Sequence, residues 1–106
     1  MLVDRTGTLT VATTDPDTRM VYISNAIHGK FLEKVLIHEL GHCAILSYGL
    51  LDDIHKACYP EFWIDAEEWV CNFIADYGYS VYKSAYDILG PNALSLVPYE
   101  IERLVA

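Results

Sequence analysis

The sequence predicts a small α+β domain in which an N-terminal β-hairpin is followed by helices. Three observations support this fold class. Apolar residues alternate with polar ones within residues 1–25, whereas helical spacing of apolar residues begins near residue 29. The chain has 106 residues, a length that suits one domain with a modest core. We therefore expect a single domain spanning residues 1–106.

Residues 1–25 are predicted to form the β-hairpin. Gly7–Thr14 places its apolar side chains at every second position, as in a half-buried strand. Asp15–Thr18 reads "DPDT", which is typical of a turn, and Arg19–Ser24 follows as a second β-branched and aromatic segment. Two strands joined by this turn are the simplest arrangement.

Residues 29–48 are predicted to form a long helix that ends before Gly49. Two stripes run along it at steps of three and four residues: Phe31, Val35, His38, His42 and Ile45, and Leu32, Leu36, Leu40 and Ala44. A helix that is apolar nearly all round is expected to be buried on every side.

A second helical region is predicted over residues 65–89, after a loop with a short helical turn. Asp65 suits the N-cap position, and Glu68 lies three residues further on, where a capping box requires it. Gly90 and Pro91 end the region, and Pro98 marks the start of a last helix over residues 97–105.

Composition excludes several function classes. The net charge of −8 and the lack of a Lys/Arg-rich run argue against nucleic-acid binding. No apolar run approaches the roughly 20 residues that span a membrane, and no signal segment is recognisable, so we expect a cytoplasmic protein. The three cysteines are expected to be reduced. The eight tyrosines are expected to pack in the core or to form an aromatic surface for a partner or a homo-oligomer.

The centre of the long helix carries the segment His38-Glu39-Leu40-Gly41-His42, which has HExxH spacing. Residues four apart lie on one face of a helix, so both imidazoles can reach one zinc ion. Glu39 is turned away from the metal and can act as the general base on an attacking water. Gly41 leaves room for the metal or for a crossing backbone. The alternative is a pair of core histidines bonded to backbone carbonyls.

A catalytic zinc also needs a third protein ligand. The candidates are His28, His55, Glu61, Glu67 and Glu68. Glu68 begins a helix that can pack against the first, and Asn72, one turn later, is placed to hydrogen-bond a ligand histidine. Glu67 is expected to face away from the metal and to reach solvent, so that its replacement by Gln would be nearly neutral. The alternative role for Glu68 is that it only caps its helix.

The two segments "HELGH" and "EEWVCNFIA" (Glu67–Ala75) together resemble the ImmA/IrrE group of small gluzincin-type zinc metallopeptidases. The resemblance extends from Val35 to roughly Asp87. The family's second motif matches this chain at Glu68, Cys71, Asn72 and Ala75, with Ile74 standing where an aromatic residue is usual.

The resemblance implies a minimal zincin-like fold, with one zinc ion held by His38, His42 and Glu68 and with Glu39 as the general base. It also implies a phage or mobile-element peptidase that cleaves a protein partner such as a repressor. The strand Met20–Ser24 is expected to hold an extended peptide along its edge.

Three residues are candidates for stabilising the transition state, namely Tyr77, Tyr79 and His55. The sequence does not choose among them. Two other functions stay open: a non-catalytic, zinc-stabilised interaction module, and a toxin or antirepressor that shares the fold. The presence of Glu39 favours the enzyme, because a purely structural zinc site has no use for a buried base.

Overall fold

The computed structural model describes Leu2, Val3, Gly7 and residues 9–91. It is a small α+β structure with two antiparallel hairpins and a set of helices. The chain divides into two compact units, Met1–Asp76 and Tyr77–Ala106, and the hairpins and the longest helix all belong to the first. Among the described helices, none combines the length and the apolar character that a membrane span requires.

The N-terminal region forms two short hairpins where the sequence predicted one. Strand β1 (Leu2–Val3) pairs with β2 (Leu9–Thr10), and β3 (Ala12–Asp15) pairs with β4 (Met20–Ile23) in an antiparallel register. The predicted turn joins β3 to β4. In it, Asp15 Oδ1 accepts hydrogen bonds from the backbone N–H groups of Asp17 (2.9 Å) and Thr18 (3.3 Å), as Asp does in turns.

Helix α1 (Gly29–Ser47) contains the HExxH segment, and it packs against β3 and against a later helix, α3 (Trp63–Phe73). The expectation that α1 is buried on every side is wrong. Its buried residues are Glu39, Gly41, His42 and Ile45. The opposite face exposes Leu36, Ile37 and Leu40. In the described part of the first unit, β3 and α3 are the main neighbours of α1, and they cover one face only.

The segment between α1 and α3 forms a short helix, α2 (Leu51–Ala57), and one 3₁₀ turn, Pro60–Phe62. This turn leads directly into α3, which therefore begins at Trp63. The prediction that Asp65 is the N-cap is wrong, because Asp65 already lies in the first turn of the helix. Glu68 consequently does not complete a capping box.

The two helices α1 and α3 are in close contact at Gly41. A Cβ atom at this position would lie 3.2 Å from Cys71 Sγ and 3.4 Å from Cys71 Cβ. Cys71 is fully buried there. Of the two roles that the sequence left open for Gly41, the structure therefore shows the second, which is space for a crossing helix.

A π-helical turn (Ile74–Gly78) follows α3, and Asp76 within it forms an ion pair with Lys34 of α1. The second unit contains α4 (Tyr79–Leu89), in which no residue is buried and Lys83 forms an ion pair of 2.8 Å with Asp87. The predicted helical region over residues 65–89 is thus two α-helices with a π-turn between them. The predicted helix over residues 97–105 lies outside the described residues.

Candidate metal centre

The two motif histidines lie one turn apart on the face of α1 that meets α3. Because the side chains of residues i and i+4 lie one above the other on a helix, the imidazoles of His38 and His42 point into the same space. Their Nε2 atoms are 3.1 Å apart. The rings meet edge to face, with centroids 4.9 Å apart and an interplanar angle of 74°.

Glu68 completes a triangle with these two nitrogens. Its Oε2 lies 3.0 Å from His38 Nε2, and its Oε1 lies 3.0 Å from His42 Nε2. Two ligand atoms of a tetrahedral zinc site, each about 2.0–2.1 Å from the metal, lie about 3.3 Å apart. His38, His42 and Glu68 thus form a group that is close enough to bind one metal ion, and their donors are of the kind that zinc accepts.

Glu67, the residue before Glu68, is also part of the centre. It is only 3% exposed, so the expectation that it reaches solvent is wrong. His42 Nδ1 and Glu67 Oε2 form a hydrogen bond. The reason is that Glu67 shares the face of α3 that carries Cys71, and this face packs against α1 at Gly41.

Glu39 lies beside the histidines but faces the hairpin. It is 5% exposed, and its Oε2 accepts a hydrogen bond of 2.5 Å from the hydroxyl of Thr14 on β3. A buried carboxylate needs such a partner, because leaving a buried charge without one is costly. The carboxylate is thereby held next to the histidines without occupying the ligand triangle.

The carboxylates close to the imidazoles change the pKa values of the centre. Burial lowers the pKa of His42, but hydrogen bonds with Cys71, Glu67 and Glu68 outweigh burial and raise that pKa to about 12. Hydrogen bonds with His38 and His42 hold the pKa of Glu68 well below its usual range, against the opposing effect of burial. In the metal-free protein these interactions favour the protonated form of His42 and the ionised form of Glu68.

The centre opens into a cleft of about 320 Å³. Its lining comes from the hairpins and the β3–β4 turn, from α1 and from the start of α3. The lining residues are Thr10, Ala12, Thr13, Thr14, Pro16, His38, Glu39, His42, Leu46, Ile64, Asp65, Glu67 and Glu68. The strand Met20–Ser24, which was expected to hold an extended peptide, contributes no residue to this cleft, and β3 is the strand that packs against α1.

Two other predicted site residues, Asn72 and His55, do not line this cleft, and two more belong to the second unit. Asn72 is exposed, and the partner of His42 Nδ1 is Glu67 rather than this amide. His55 stacks on Trp63 with ring centroids 3.9 Å apart. Tyr77 and Tyr79 are exposed side chains assigned to the second unit. Their proposed roles in stabilising a transition state stay predictions.

Sequence reasoning did not find the roles of Glu67 and Thr14. A signal existed for Glu67, since it lies four residues before Cys71 and seven before Ile74, and a carboxylate on an apolar stripe is expected to be buried with a partner. Thr14 carried no signal, because its contact with Glu39 joins residues 25 positions apart.

The chain was compared with protein-family models, with curated proteins and with solved structures, and no match was found in any of the three comparisons.

Proposed function

We propose that this chain is a zinc-dependent peptide hydrolase of the ImmA/IrrE type. The observation that carries the proposal is the convergence of His38, His42 and Glu68 in one cleft, with the buried carboxylate of Glu39 beside them. Two imidazoles and one carboxylate are the ligand set of many catalytic zinc sites, which leave a fourth position for water or substrate. A structural zinc site is closed by four protein ligands.

His38, His42 and Glu68 would hold the metal. When bound there, zinc supplies a Lewis acid that acidifies water and polarises a carbonyl group. The negative charge of Glu68 and the two neutral imidazoles would leave the ion with a net positive charge, as this chemistry requires. His42 has to lose a proton before it can act as a ligand, so that zinc binding and proton release are coupled.

Glu39 would take the proton from the attacking water and later return it to the leaving amine. Its hydrogen bond with Thr14 leaves one carboxylate oxygen, Oε1, for this transfer, because the bond occupies Oε2. A carboxylate used as a base has to be near the reacting water and properly oriented. The hydroxyl of Thr14 would provide the orientation.

Strand β3 would hold the substrate. Three consecutive residues of this region, Ala12, Thr13 and Thr14, line the cleft, which means that the edge of the strand and not only one of its faces borders the site. In the described sheet β3 pairs with β4 alone, so its other edge has no strand partner there. An extended peptide could therefore bind to this edge by strand addition.

The substrate class follows from the family resemblance. A protein partner such as a repressor, cleaved in the cytoplasm, is the substrate that we propose. The free thiols of Cys43, Cys58 and Cys71 fit a reducing compartment.

Metal analysis and a substitution at Glu39 test the proposal together. We expect one zinc per chain in the purified protein, and Glu39→Gln should retain it while hydrolysis of a peptide library falls by about 100-fold or more. Equal hydrolysis by the wild type and the Gln variant would reject a role of Glu39 as the base.

A binding module without catalysis is the second candidate. It is favoured by the exposed face of α1, where Leu36, Ile37 and Leu40 are each at least 40% exposed. A zinc-loaded wild type that cleaves no peptide or repressor would support this module, and alanine substitutions on that face would then be the next test.

A further inference from the structure

We propose that Glu67 is a positioning residue of the metal centre, which holds His42 so that its Nε2 faces the metal. This inference rests on the proposed zinc binding. It concerns a residue that does not itself belong to the ligand triangle of His38, His42 and Glu68.

The geometry around His42 is the first argument. Its two ring nitrogens meet carboxylates of two successive residues, since Nδ1 bonds to Glu67 Oε2 and Nε2 lies 3.0 Å from Glu68 Oε1. A neutral imidazole that gives one nitrogen to a metal carries its proton on the other nitrogen. With Glu67 as the acceptor of that N–H, the proton stays on Nδ1 and Nε2 is free to bind.

The burial of Glu67 is the second argument. Its side chain is almost completely buried, and a carboxylate so deeply buried is retained only where its charge is compensated. The close contact of Gly41 with Cys71, one turn beyond Glu67 on α3, brings this part of the helix against α1. The backbone contact thus sets the separation at which the carboxylate of Glu67 reaches His42.

The charge of the centre is the third argument. Zinc brings two positive charges, and Glu68 neutralises only one of them. A second carboxylate that bonds to a ligand histidine makes that histidine a stronger ligand, which is the usual effect of such a partner. Glu67 would supply its negative charge through His42, without filling a coordination position, so that the ion itself keeps the positive charge of a Lewis acid.

Zinc affinity of matched Gln variants tests the inference, measured by competition with a chromophoric chelator. Glu67→Gln keeps an acceptor oxygen but loses the charge, and we expect its affinity to fall about 10-fold, within the usual 10–100-fold range for such partners. Glu61→Gln is the control, because Glu61 is exposed, lies outside the ligand triangle and the cleft lining, and loses the same charge. Its affinity should equal that of the wild type.

Cobalt substitution separates a positioning residue from a ligand. The visible spectrum of bound Co²⁺ depends on the ligand atoms and their geometry. It should therefore be nearly unchanged in Glu67→Gln and clearly altered in Glu68→Gln. If Glu67→Gln is not folded, Glu67→Asp replaces it in both measurements. Asp retains the charge, but its shorter side chain moves the carboxylate away from His42. We therefore expect the same loss of zinc affinity.

Each outcome has a defined meaning. Zinc affinity of the Glu67 variants equal to that of Glu61→Gln would overturn the inference, and so would a Co²⁺ spectrum that changes as in Glu68→Gln, because Glu67 would then be a ligand. A wild type that binds zinc but hydrolyses nothing would reject the proposed hydrolase and leave the inference on Glu67 intact. A wild type without zinc would overturn both.

Discussion

The hydroxyl of Thr14 donates a hydrogen bond of 2.5 Å to Glu39 Oε2, and so links the first strand of the β3–β4 hairpin to the HExxH helix. Both side chains line the same cleft. The hairpin therefore takes part in the candidate site directly, since it supplies the partner of the carboxylate that we propose as the base.

Thr14→Val should test this link. Valine has nearly the same shape but no hydroxyl, so that the buried carboxylate of Glu39 loses a donor, which costs about 1–3 kcal/mol of stability. We expect unchanged zinc content, a lower melting temperature and slower peptide hydrolysis. Thr18→Val is the control, because Thr18 is exposed in the turn. A Thr14 variant with wild-type stability and activity would contradict the importance of the hydrogen bond.

Removal of the metal ligands should destabilise the fold as well as the site. Since the binding energy of a metal is also folding energy, the His38→Ala, His42→Ala double variant should have no bound zinc. Its melting temperature should not respond to zinc or to a chelator, whereas the wild type should lose stability when zinc is chelated. Stoichiometric zinc in the double variant would rule out this site.

The metal-free protein should be most stable in mildly acidic solution. The pKa of His42 is raised from 6.5 to about 12, so its contribution to stability is complete below pH 6.5 and is lost as the pH rises toward 12. The lowered pKa of Glu68 makes its contribution complete above pH 4.5 and lost at more acidic pH. We therefore expect a maximum between about pH 4.5 and 6.5.

In the presence of zinc, stability should instead increase as the pH rises above 6.5. The reason is that protons and zinc compete for His42, and fewer protons compete at higher pH. Melting temperatures measured across the pH range, with chelator and with zinc, check both statements. Metal-free protein that gains stability between pH 7 and 9 would show that the interactions of His42 do not dominate.

Gly41→Ala should weaken zinc binding through the position of α3. The added Cβ would lie 3.2 Å from Cys71 Sγ. We expect relief of this contact to shift α3, and Glu68 with it, slightly away from the histidines. Overpacking of this kind costs about 1–3 kcal/mol, partly offset by the roughly 0.5–1 kcal/mol that Ala gains over Gly in a helix.

A double-mutant cycle with Cys71→Ala checks the cause. Without the sulfur atom the nearest contacts are ordinary, so Gly41→Ala should cost much less zinc affinity in the Cys71→Ala background than in the wild type. Equal losses in both backgrounds would mean that the contact with Cys71 is not responsible.

The parts of the molecule that the sequence predicts well depend on local spacing. The helix around His38 and His42, the convergence of their imidazoles and the turn at Asp15 follow from periodicity and turn chemistry within a few residues. The prediction that Glu68 joins both histidines needed a second observation, namely the resemblance of the segment Glu67–Ala75 to a motif of the ImmA/IrrE group. The helix, the facing imidazoles and the turn do not depend on how the rest of the chain packs, whereas the group with Glu68 depends on the packing of α3 against α1.

The parts that were predicted incorrectly depend on packing between distant segments. Which of two adjacent glutamates is buried is decided by the contact of α3 with α1, and the hairpin strand that borders the site is decided by the way the hairpin docks. The exposed apolar face of α1 is a further example, because periodicity alone predicts burial wherever apolar residues recur. The start of α3 at Trp63 likewise depends on the preceding 3₁₀ turn.

The contact between Gly41 and Cys71 makes metal binding sensitive to the distance between α1 and α3. The ligand atoms lie on two helices, and at Gly41 these helices are in close contact, with Cys71 Sγ 3.2 Å from the position that a Cβ atom would take. A small separation of the helices would consequently open the ligand triangle as a whole. The fraction of metal-bound protein would then follow the separation of α1 and α3. The visible spectrum of bound Co²⁺ could therefore be used to detect this separation in the early steps of unfolding.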